Sequence, residues 1–211
     1  MHPRIKWLLD RVQGSRILDI GCARKANILH EGFKRNPQSL IVGIDLDERS
    51  VREMLPGTNV VGNALHLPFP DSTFDAVVIG EVLEHEWDGF ALLCEVTRVS
   101  SEDALIYVTT PNPFSPNRWL RYWMLARRPC EVSSYQGYLG TPEHKMLWTP
   151  SSLLKAFAEL GLEIIELVTI GIRVPFVARF IEPLGALNIQ YYPFSRLGAN
   201  ICVIGQKKVT R

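Results

Sequence analysis

Polar residues stand at the ends of several apolar runs in this chain, where together they could bind a nucleotide-like ligand. Asp19 and Gly21 close the first run, Asp45 closes the second, and Asn63 follows the third. A carboxylate can accept hydrogen bonds from both hydroxyls of a ribose, and an amide side chain can meet the edge of an adenine. Glu81 follows the fourth run. If these runs are neighbouring parallel strands, the spacing predicts one crevice at their carboxyl ends.

Seven apolar segments are predicted to be the strands that position these side chains. They are Arg16–Ile20, Ser39–Ile44, Asn59–Gly62, Phe74–Ile79, Ala104–Val108, Leu162–Ile170 and Asn200–Gly205. Helical patterns lie before and between them, at Pro3–Val12, from Arg24 through Leu29, at Glu48–Leu55, at Glu86–Val99 and after the Thr149-Pro cap. Nearly continuous apolar strands that alternate with helices are typical of a parallel sheet covered on both faces. Where the first strand turns at Gly21 into a helix, free backbone N–H groups should point into the crevice.

Two segments interrupt the strand–helix alternation, at about 113–147 and 172–197. We interpret the chain as a single domain, residues 1–211, in which both segments form a lid over the substrate. The first segment carries Trp119 and Trp123 among arginines, four positions apart on one helical face. A second interpretation is an interfacial helix in peripheral contact with a membrane that holds a lipid-linked acceptor. A third is ordinary packing of an insertion.

Composition and charge exclude some classes of function. The chain has 211 residues and a formal net charge of +1, so no global field favours nucleic acid. Its four cysteines form no C-x-x-C pair and no zinc-type spacing with histidine, and no metal is expected. The N-terminus lacks the apolar core of a signal peptide. These features predict a cytoplasmic protein with reduced thiols.

A series of short motifs resembles a known family. The motifs are Ile17-Leu-Asp-Ile-Gly21, Gly43-Ile-Asp-Leu46, Gly62-Asn-Ala-Leu65, Leu67-Pro-Phe-Pro-Asp-Ser-Thr-Phe-Asp-Ala-Val-Val78 and Glu81-Val-Leu-Glu-His85. Together they resemble the class I S-adenosylmethionine-dependent methyltransferases, in the small-molecule, ubiquinone-biosynthesis-type (methyltransferase type 11) branch. The resemblance implies a Rossmann-like α/β fold. Its doubly wound, mostly parallel seven-stranded sheet has an antiparallel last strand and helices on both faces.

The resemblance also implies roles for residues at the strand ends. It assigns cofactor binding to Asp19, Gly21, Cys22, Ala23, Asp45, Leu46, Asn63, Ala64, Leu65 and Glu81. Asp19 and Gly21 would hold the methionine end of S-adenosylmethionine. The Asp45 carboxylate would bind the ribose hydroxyls, with Leu46 against the adenine. Asn63 and Ala64 would meet the adenine amino group and ring, with Leu65 nearby. Glu81 would lie near the methionine moiety or the acceptor.

Two positions depart from the family pattern. Ala23 and Lys25 stand where the glycine-rich loop usually has further glycines. A methyl group at a point of close backbone approach weakens cofactor binding if the loop cannot shift. The alternative function is therefore a non-catalytic, methyltransferase-like binding module with a degenerate loop.

Methyl transfer needs alignment of acceptor, methyl carbon and sulfur more than it needs acid–base chemistry. A hydroxyl acceptor also needs a general base, for which His85 is the first candidate and His144 the second. A structural role for either histidine stays open. The expected acceptor is a small molecule or a lipid-linked one. Methylation of nucleic acid is a third class, and the sequence shows neither an added binding domain nor a strongly basic surface for it.

Overall fold

Seven strands form one sheet in a computed structural model that describes residues 2–22, 38–53, 58–116, 144–171 and 197–208. The strands are β1 (Arg16–Ile20), β2 (Leu40–Asp45), β3 (Asn59–Val61), β4 (Phe74–Gly80), β5 (Ser100–Pro111), β6 (Leu162–Ile170) and β7 (Asn200–Lys207). The described helices are α1 (Pro3–Arg11), α2 (Glu48–Glu53), α3 (Gly89–Val99) and α4 (Pro150–Glu159).

The sheet has the order β3-β2-β1-β4-β5-β7-β6. Strands β1 to β5 pair in parallel, and β7 pairs antiparallel with both β5 and β6. The predicted doubly wound sheet with its reversed last strand is therefore confirmed. Because β1 and β4 are neighbours although two strands separate them in sequence, the order of the strands switches between them. Ligands bind in open α/β sheets at such a switch, outside the carboxyl ends of the strands.

The core consists of two apolar layers, one on each face of the sheet. One layer packs α3 and α4 against the sheet through residues such as Leu93 and Phe157, which are fully buried. The other layer packs α1 against the opposite face through Trp7 and Leu8. Residues 76–79 of β4 have no exposed surface at all, because this central strand is covered on both faces. The burial of each of the three larger side chains, Val77, Val78 and Ile79, contributes roughly 1.5–3 kcal/mol, which makes the carboxyl end of β4 a rigid support for a site.

One predicted helix begins later than expected. The pattern predicts a helix over Glu86–Val99, whereas α3 starts at Gly89 after a separate 3₁₀ turn, Leu83–His85. The Asp88 side chain accepts a hydrogen bond from the Ala91 N–H at 2.9 Å and so caps α3. Gly89 lies under the Trp148 indole, and a Cβ added there would lie 2.6 Å from the ring. The cap and this close approach fix the start of α3 and leave His85 in the short turn.

Several sequence predictions lie outside the described residues. These are the helix from Arg24 through Leu29, the loop residues Ala23 and Lys25, and most of the two segments at 113–147 and 172–197. Among the described residues, no helix is long and apolar enough to cross a membrane.

Candidate functional site

A cleft of about 650 Å³ opens at the carboxyl ends of β1, β2 and β4. Its lining residues are Ile20, Gly21, Ile44, Asp45, Leu46, Gly62, Ala64, Gly80, Glu81, Val82, His85 and Glu86. Six of the residues that the sequence predicts for the site are therefore brought together: Gly21, Asp45, Leu46, Ala64, Glu81 and His85.

Gly21 forms the tight turn at the end of β1. Its φ is +77°, and a Cβ added there would lie 2.4 Å from Cγ2 of Val82. Glycine is therefore needed both for the left-handed backbone and for the close approach of β4. The prediction that free N–H groups point into the crevice is wrong for the first two turn residues. The N–H groups of Gly21 and Cys22 both donate to the Ile44 carbonyl, at 2.8 and 3.3 Å.

Asp45 is the last residue of β2, and it lies on the opposite side of the cleft from the end of β4 and Glu81. Its Oδ1 accepts a hydrogen bond from the Asp47 N–H at 3.0 Å, which orients the carboxylate at the start of α2. Beside it, Leu46 is 62% exposed although it lines the cleft. An exposed leucine next to a carboxylate offers an apolar face for a flat ring and an acceptor for hydroxyls. Ala64, from the loop after β3, supplies a further apolar wall.

Six other predicted site residues are not among those that line the cleft; Asp19 and His144 are described below, and the remaining four are Cys22, Ala23, Asn63 and Leu65. Asn63 turns its Oδ1 back to accept from the Leu65 N–H at 2.9 Å, so that this oxygen stabilises its own loop. Leu65 packs against the core, and Cys22 is buried, which raises the pKa of its thiol to about 12. Ala23 lies outside the described residues. The cofactor contacts of these four residues stay predictions.

Asp19 is a buried carboxyl group inside β1. It is 1% exposed, and among the described residues its Oδ2 has no hydrogen-bond partner. The pKa of Asp19 is raised to about 7, mainly by burial and also by the Asp45 carboxylate, while the Arg4 guanidinium lowers it. An ionised carboxylate without a donor in the interior is unfavourable. A positively charged hydrogen-bond donor supplied by a ligand would satisfy it.

Glu81 is held in an unusual conformation at the end of β4. Its φ is +60°, which a non-glycine residue rarely adopts, and its N–H donates to the Thr109 carbonyl at 2.8 Å. The carboxylate Oε1 accepts from the Asn200 side-chain amide and lies 3.6 Å from Nε of Arg4. Arg4 comes from α1 and Asn200 from β7, so three elements fix one carboxylate at the floor of the cleft.

His85 borders the cleft and meets a second histidine. The ring centroids of His85 and His144 are 5.0 Å apart at an interplanar angle of 77°, an edge-to-face contact. The buried Glu84 lies beside both rings, and its Oε2 accepts from the Thr110 hydroxyl at 3.1 Å. The two histidines that the sequence singled out separately thus form one cluster with Glu84.

Sequence reasoning missed Arg4, Glu84 and Asn200. Arg4 and Asn200 are near opposite ends of the chain, and only the sheet order brings them to Glu81. Glu84 is part of the Glu81–His85 motif, but the motif does not show that Glu84 is buried. Its burial in the structure is what indicates a special role. A carboxylate that interrupts an apolar turn is the pattern that would have drawn attention to it.

The described residues fit S-adenosylmethionine, the cofactor that the resemblance implies. The orphaned Oδ2 of Asp19 and the Glu81 carboxylate suit a ligand with positively charged ammonium and sulfonium groups. Asp45 and Leu46 offer a hydroxyl acceptor beside an apolar face. The glycine at position 21 lets β1 turn in close contact with Val82, which also lines the cleft.

Comparisons with known proteins agree with this fit. Residues 18–108 match a family model described as a methyltransferase domain. The chain is 34% identical over 119 residues to a probable S-adenosylmethionine-dependent methyltransferase of Mycolicibacterium smegmatis, covering 53% of this chain and 44% of that protein. It is 27% identical over 188 residues to a demethylmenaquinone methyltransferase of Listeria welshimeri, covering 78% of this chain and 80% of that one.

A solved structure shows the same fold at lower sequence identity. A protein from Thermotoga maritima described as a possible histamine N-methyltransferase superposes with a TM-score of 0.68 at 18% identity, covering 98% of this chain and 88% of that chain. At that identity the likeness concerns the fold alone. The chain spans less than half the length of its mycobacterial relatives. It covers 44% of the protein from Mycolicibacterium smegmatis and 42% of a similar protein from Mycobacterium tuberculosis.

Proposed function

We propose that the chain is a class I S-adenosylmethionine-dependent methyltransferase, which transfers a methyl group from S-adenosylmethionine to a small-molecule or lipid-linked acceptor. The observation that carries the proposal is the convergence of Gly21, Asp45 and Glu81, from the ends of three different strands, on one cleft. Single carboxylates at strand ends are common, but three elements that meet around one apolar-walled space are typical of a binding site.

Each part of the cleft has a task in this proposal. Asp45 binds the two ribose hydroxyls, and Leu46 and Ala64 cover the adenine. Asp19 and Glu81 bind the positively charged end of the cofactor, which explains why carboxylates are tolerated at the floor. When bound, S-adenosylmethionine supplies a methyl group that is already activated. The protein then contributes mainly alignment and the exclusion of water.

His85 and His144 assist the loss of the acceptor proton. Of the two, His85 lines the cleft, and it lies on the same side as Glu81, where the acceptor would approach. His144 contacts the His85 ring from the segment that precedes α4. Imidazoles titrate near neutrality and are suited to proton transfer at physiological pH.

A quinol or related phenol attached to a lipid tail is the acceptor class we favour. One support is the relative from Listeria welshimeri, whose name states a demethylmenaquinone substrate, over 78% of this chain. The other is the apolar character of the segments at 113–147 and 172–197, which we propose select the acceptor. A phenolic oxygen or its ring carbon becomes a good nucleophile once the proton is removed.

Calorimetric titration with S-adenosylhomocysteine tests the cofactor site. We expect binding by the wild type and a loss of at least about tenfold in Asp45→Asn, because a neutral amide is a weaker acceptor for two hydroxyls. Asp47→Asn is the matched control, since Asp47 caps α2 through Ser50 and does not line the cleft. Absence of binding by the wild type at millimolar ligand would overturn the proposal.

A methylation assay separates the enzyme from the binding module that Ala23 and Lys25 suggest. Radiolabelled S-adenosylmethionine is incubated with the protein and short-chain hydroquinones, with menaquinone-type and ubiquinone-type rings in parallel. Label transferred to one ring class supports the enzyme. Tight cofactor binding without transfer to any hydroxylated aromatic acceptor favours the module.

A further inference from the structure

Glu84, His85 and His144 form a cluster whose potential ligand atoms all lie within 4.8 Å of one another. Glu84 is 2% exposed, whereas the two imidazoles are partly exposed. One carboxylate oxygen and two imidazole nitrogens are a donor set that binds divalent first-row transition metals. Two residues adjacent in sequence supply two of the ligands, and His144, near the end of the segment at 113–147, supplies the third.

Backbone hydrogen bonds hold the two parts of this cluster together. The N–H groups of Lys145 and Met146 both donate to the carbonyl of Glu84, at 2.7 and 3.1 Å. These bonds fix the backbone next to His144 directly onto the 3₁₀ turn that carries His85. Nearby, the Trp148 indole N–H donates to the Leu83 carbonyl at 3.3 Å. The histidine of one segment is thus held against the Glu-His pair of the other by contacts that do not involve the ligand atoms.

The carboxylate has an outer partner of the kind that metal ligands need. The Thr110 hydroxyl, fully buried at the end of β5, donates to Oε2 of Glu84 at 3.1 Å. Such a bond orients a ligating carboxylate.

We propose that Glu84, His85 and His144 bind one divalent transition-metal cation at the edge of the cleft. Ligand atoms around such a cation are about 3 Å apart, so the side chains must draw together by at most roughly 2 Å, which side-chain rotation supplies. Three protein ligands leave at least one position for an oxygen from outside the protein. Because His85 also lines the cleft, that position is beside the space where an acceptor would lie.

The catalytic consequence of the site rests on the proposed function, whereas metal binding itself does not. A cation that holds an acceptor hydroxyl makes it more acidic and fixes its position. The two histidines would then promote proton loss as ligands of the cation rather than as free bases. A cation at this position selects acceptors that have a hydroxyl group. If the cation has two open coordination positions, acceptors with a second oxygen next to the hydroxyl are favoured.

Equilibrium dialysis of the chelator-treated 211-residue chain against Co²⁺, followed by elemental analysis, tests the site. We expect one tightly bound Co²⁺ per chain. We expect affinity to fall at least about tenfold in His85→Asn and in His144→Asn, because each variant removes one ligand and leaves two. Glu84→Gln should do the same, but Glu84 is buried, so the two histidine variants carry the test if it fails to fold.

His66→Asn is the matched control, because His66 is exposed and lies outside the cluster. It should bind Co²⁺ like the wild type, and the metal-free histidine variants should unfold at the wild-type temperature. Wild-type protein that binds no Co²⁺ at sub-millimolar concentration overturns the proposal, as does undiminished binding by both histidine variants. S-adenosylhomocysteine titrations run in parallel, so a failed metal site is distinguished from a failed cofactor site.

Discussion

The Nε atom of Arg4 lies 3.6 Å from Oε1 of Glu81, although the two residues belong to the first helix and the fourth strand. The Arg4 side chain is only 13% exposed. It is therefore a cation within the protein that faces the carboxylates at the floor of the cleft. Its charge also lowers the pKa of Asp19, against the effect of burial. Helix α1 thus contributes to the electrostatics of a site that the strands form.

Replacing Arg4 by methionine should weaken cofactor binding near neutral pH. Without the guanidinium, the pKa of Asp19 rises further, and a smaller fraction of this carboxylate is ionised at pH 7. We expect S-adenosylhomocysteine affinity to fall severalfold at pH 7 and to recover partly at pH 8.5, as measured by calorimetry. Arg49→Met is the control, because the Arg49 side chain is 89% exposed and pairs only with Glu53 among the described residues. Equal effects of the two substitutions would contradict this account.

Asp19→Asn should stabilise the fold at alkaline pH. Burial raises the pKa of Asp19 from its ordinary value of 3.8 to about 7. The folded state therefore holds this proton more tightly than the unfolded chain does. The resulting stability is fully present below pH 3.8 and is lost as the pH rises through about 7. The neutral amide avoids the loss, so the free energy of unfolding at pH 8 should rise by at most about 4 kcal/mol.

Urea unfolding of wild type and Asp19→Asn at pH 8 and at pH 5 measures this effect. The difference between the two proteins should be larger at pH 8, and the comparison across pH is its own control. A lower stability of the variant at pH 8 would mean that Asp19 is ionised and satisfied in the folded protein. The same variant should bind S-adenosylhomocysteine more weakly, because the carboxylate is needed for the ligand's ammonium group.

Cofactor binding by the wild type should weaken as the pH is lowered. Asp19 binds the ligand in its ionised form, and the pKa of Asp19 in the ligand-free protein is about 7. Affinity for S-adenosylhomocysteine should therefore fall as the pH is lowered below 7, by up to about tenfold per pH unit. Titrations between pH 5.5 and 8.5 measure the slope, and Asp19→Asn should give a flat profile. A wild-type affinity that does not change over this range would exclude Asp19 from the binding site.

The strand pattern and half of the residues that line the cleft could be predicted from the sequence, because local signals determine them. The apolar run of β4 and the turn at Gly21 each report their own structure, and parallel strands place their carboxyl ends at one edge. The start of α3 was predicted too early, because the N-cap at Asp88 competes with a helical pattern that already begins at Glu86. The difference decides where His85 lies, since it belongs to the turn rather than to the helix.

The polar contacts of the site could not be predicted in the same way. Glu81 meets Arg4 and Asn200 only because β7 inserts next to β5 and α1 packs across the sheet. Likewise, the use of the Gly21 N–H by the Ile44 carbonyl depends on the register between β1 and β2. Such contacts follow from tertiary geometry, and a single sequence carries no local signal for them.

Gly21→Ala should both destabilise the protein and impair cofactor binding, for two separable reasons. The residue has a φ of +77°, and its new Cβ would lie 2.4 Å from Cγ2 of Val82. Gly161→Ala is a matched control, because its φ is +68° but nothing lies within 4 Å of its added Cβ. The control should lose about 1 kcal/mol from backbone strain alone, and Gly21→Ala should lose about 1–3 kcal/mol more.

A double variant with Val82→Ala separates the two causes of destabilisation in Gly21→Ala, which are the strained backbone and the clash with Val82. Removing the Val82 methyl groups relieves the clash but leaves the strained φ, so the double variant should be less destabilised than the sum of the two single variants. Thermal or urea unfolding of the four proteins gives the coupling energy, and calorimetry with S-adenosylhomocysteine gives the effect on the cleft. Strict additivity would mean that the loop moves to accommodate the methyl group, and the turn at Gly21 would then not be the fixed point of the site.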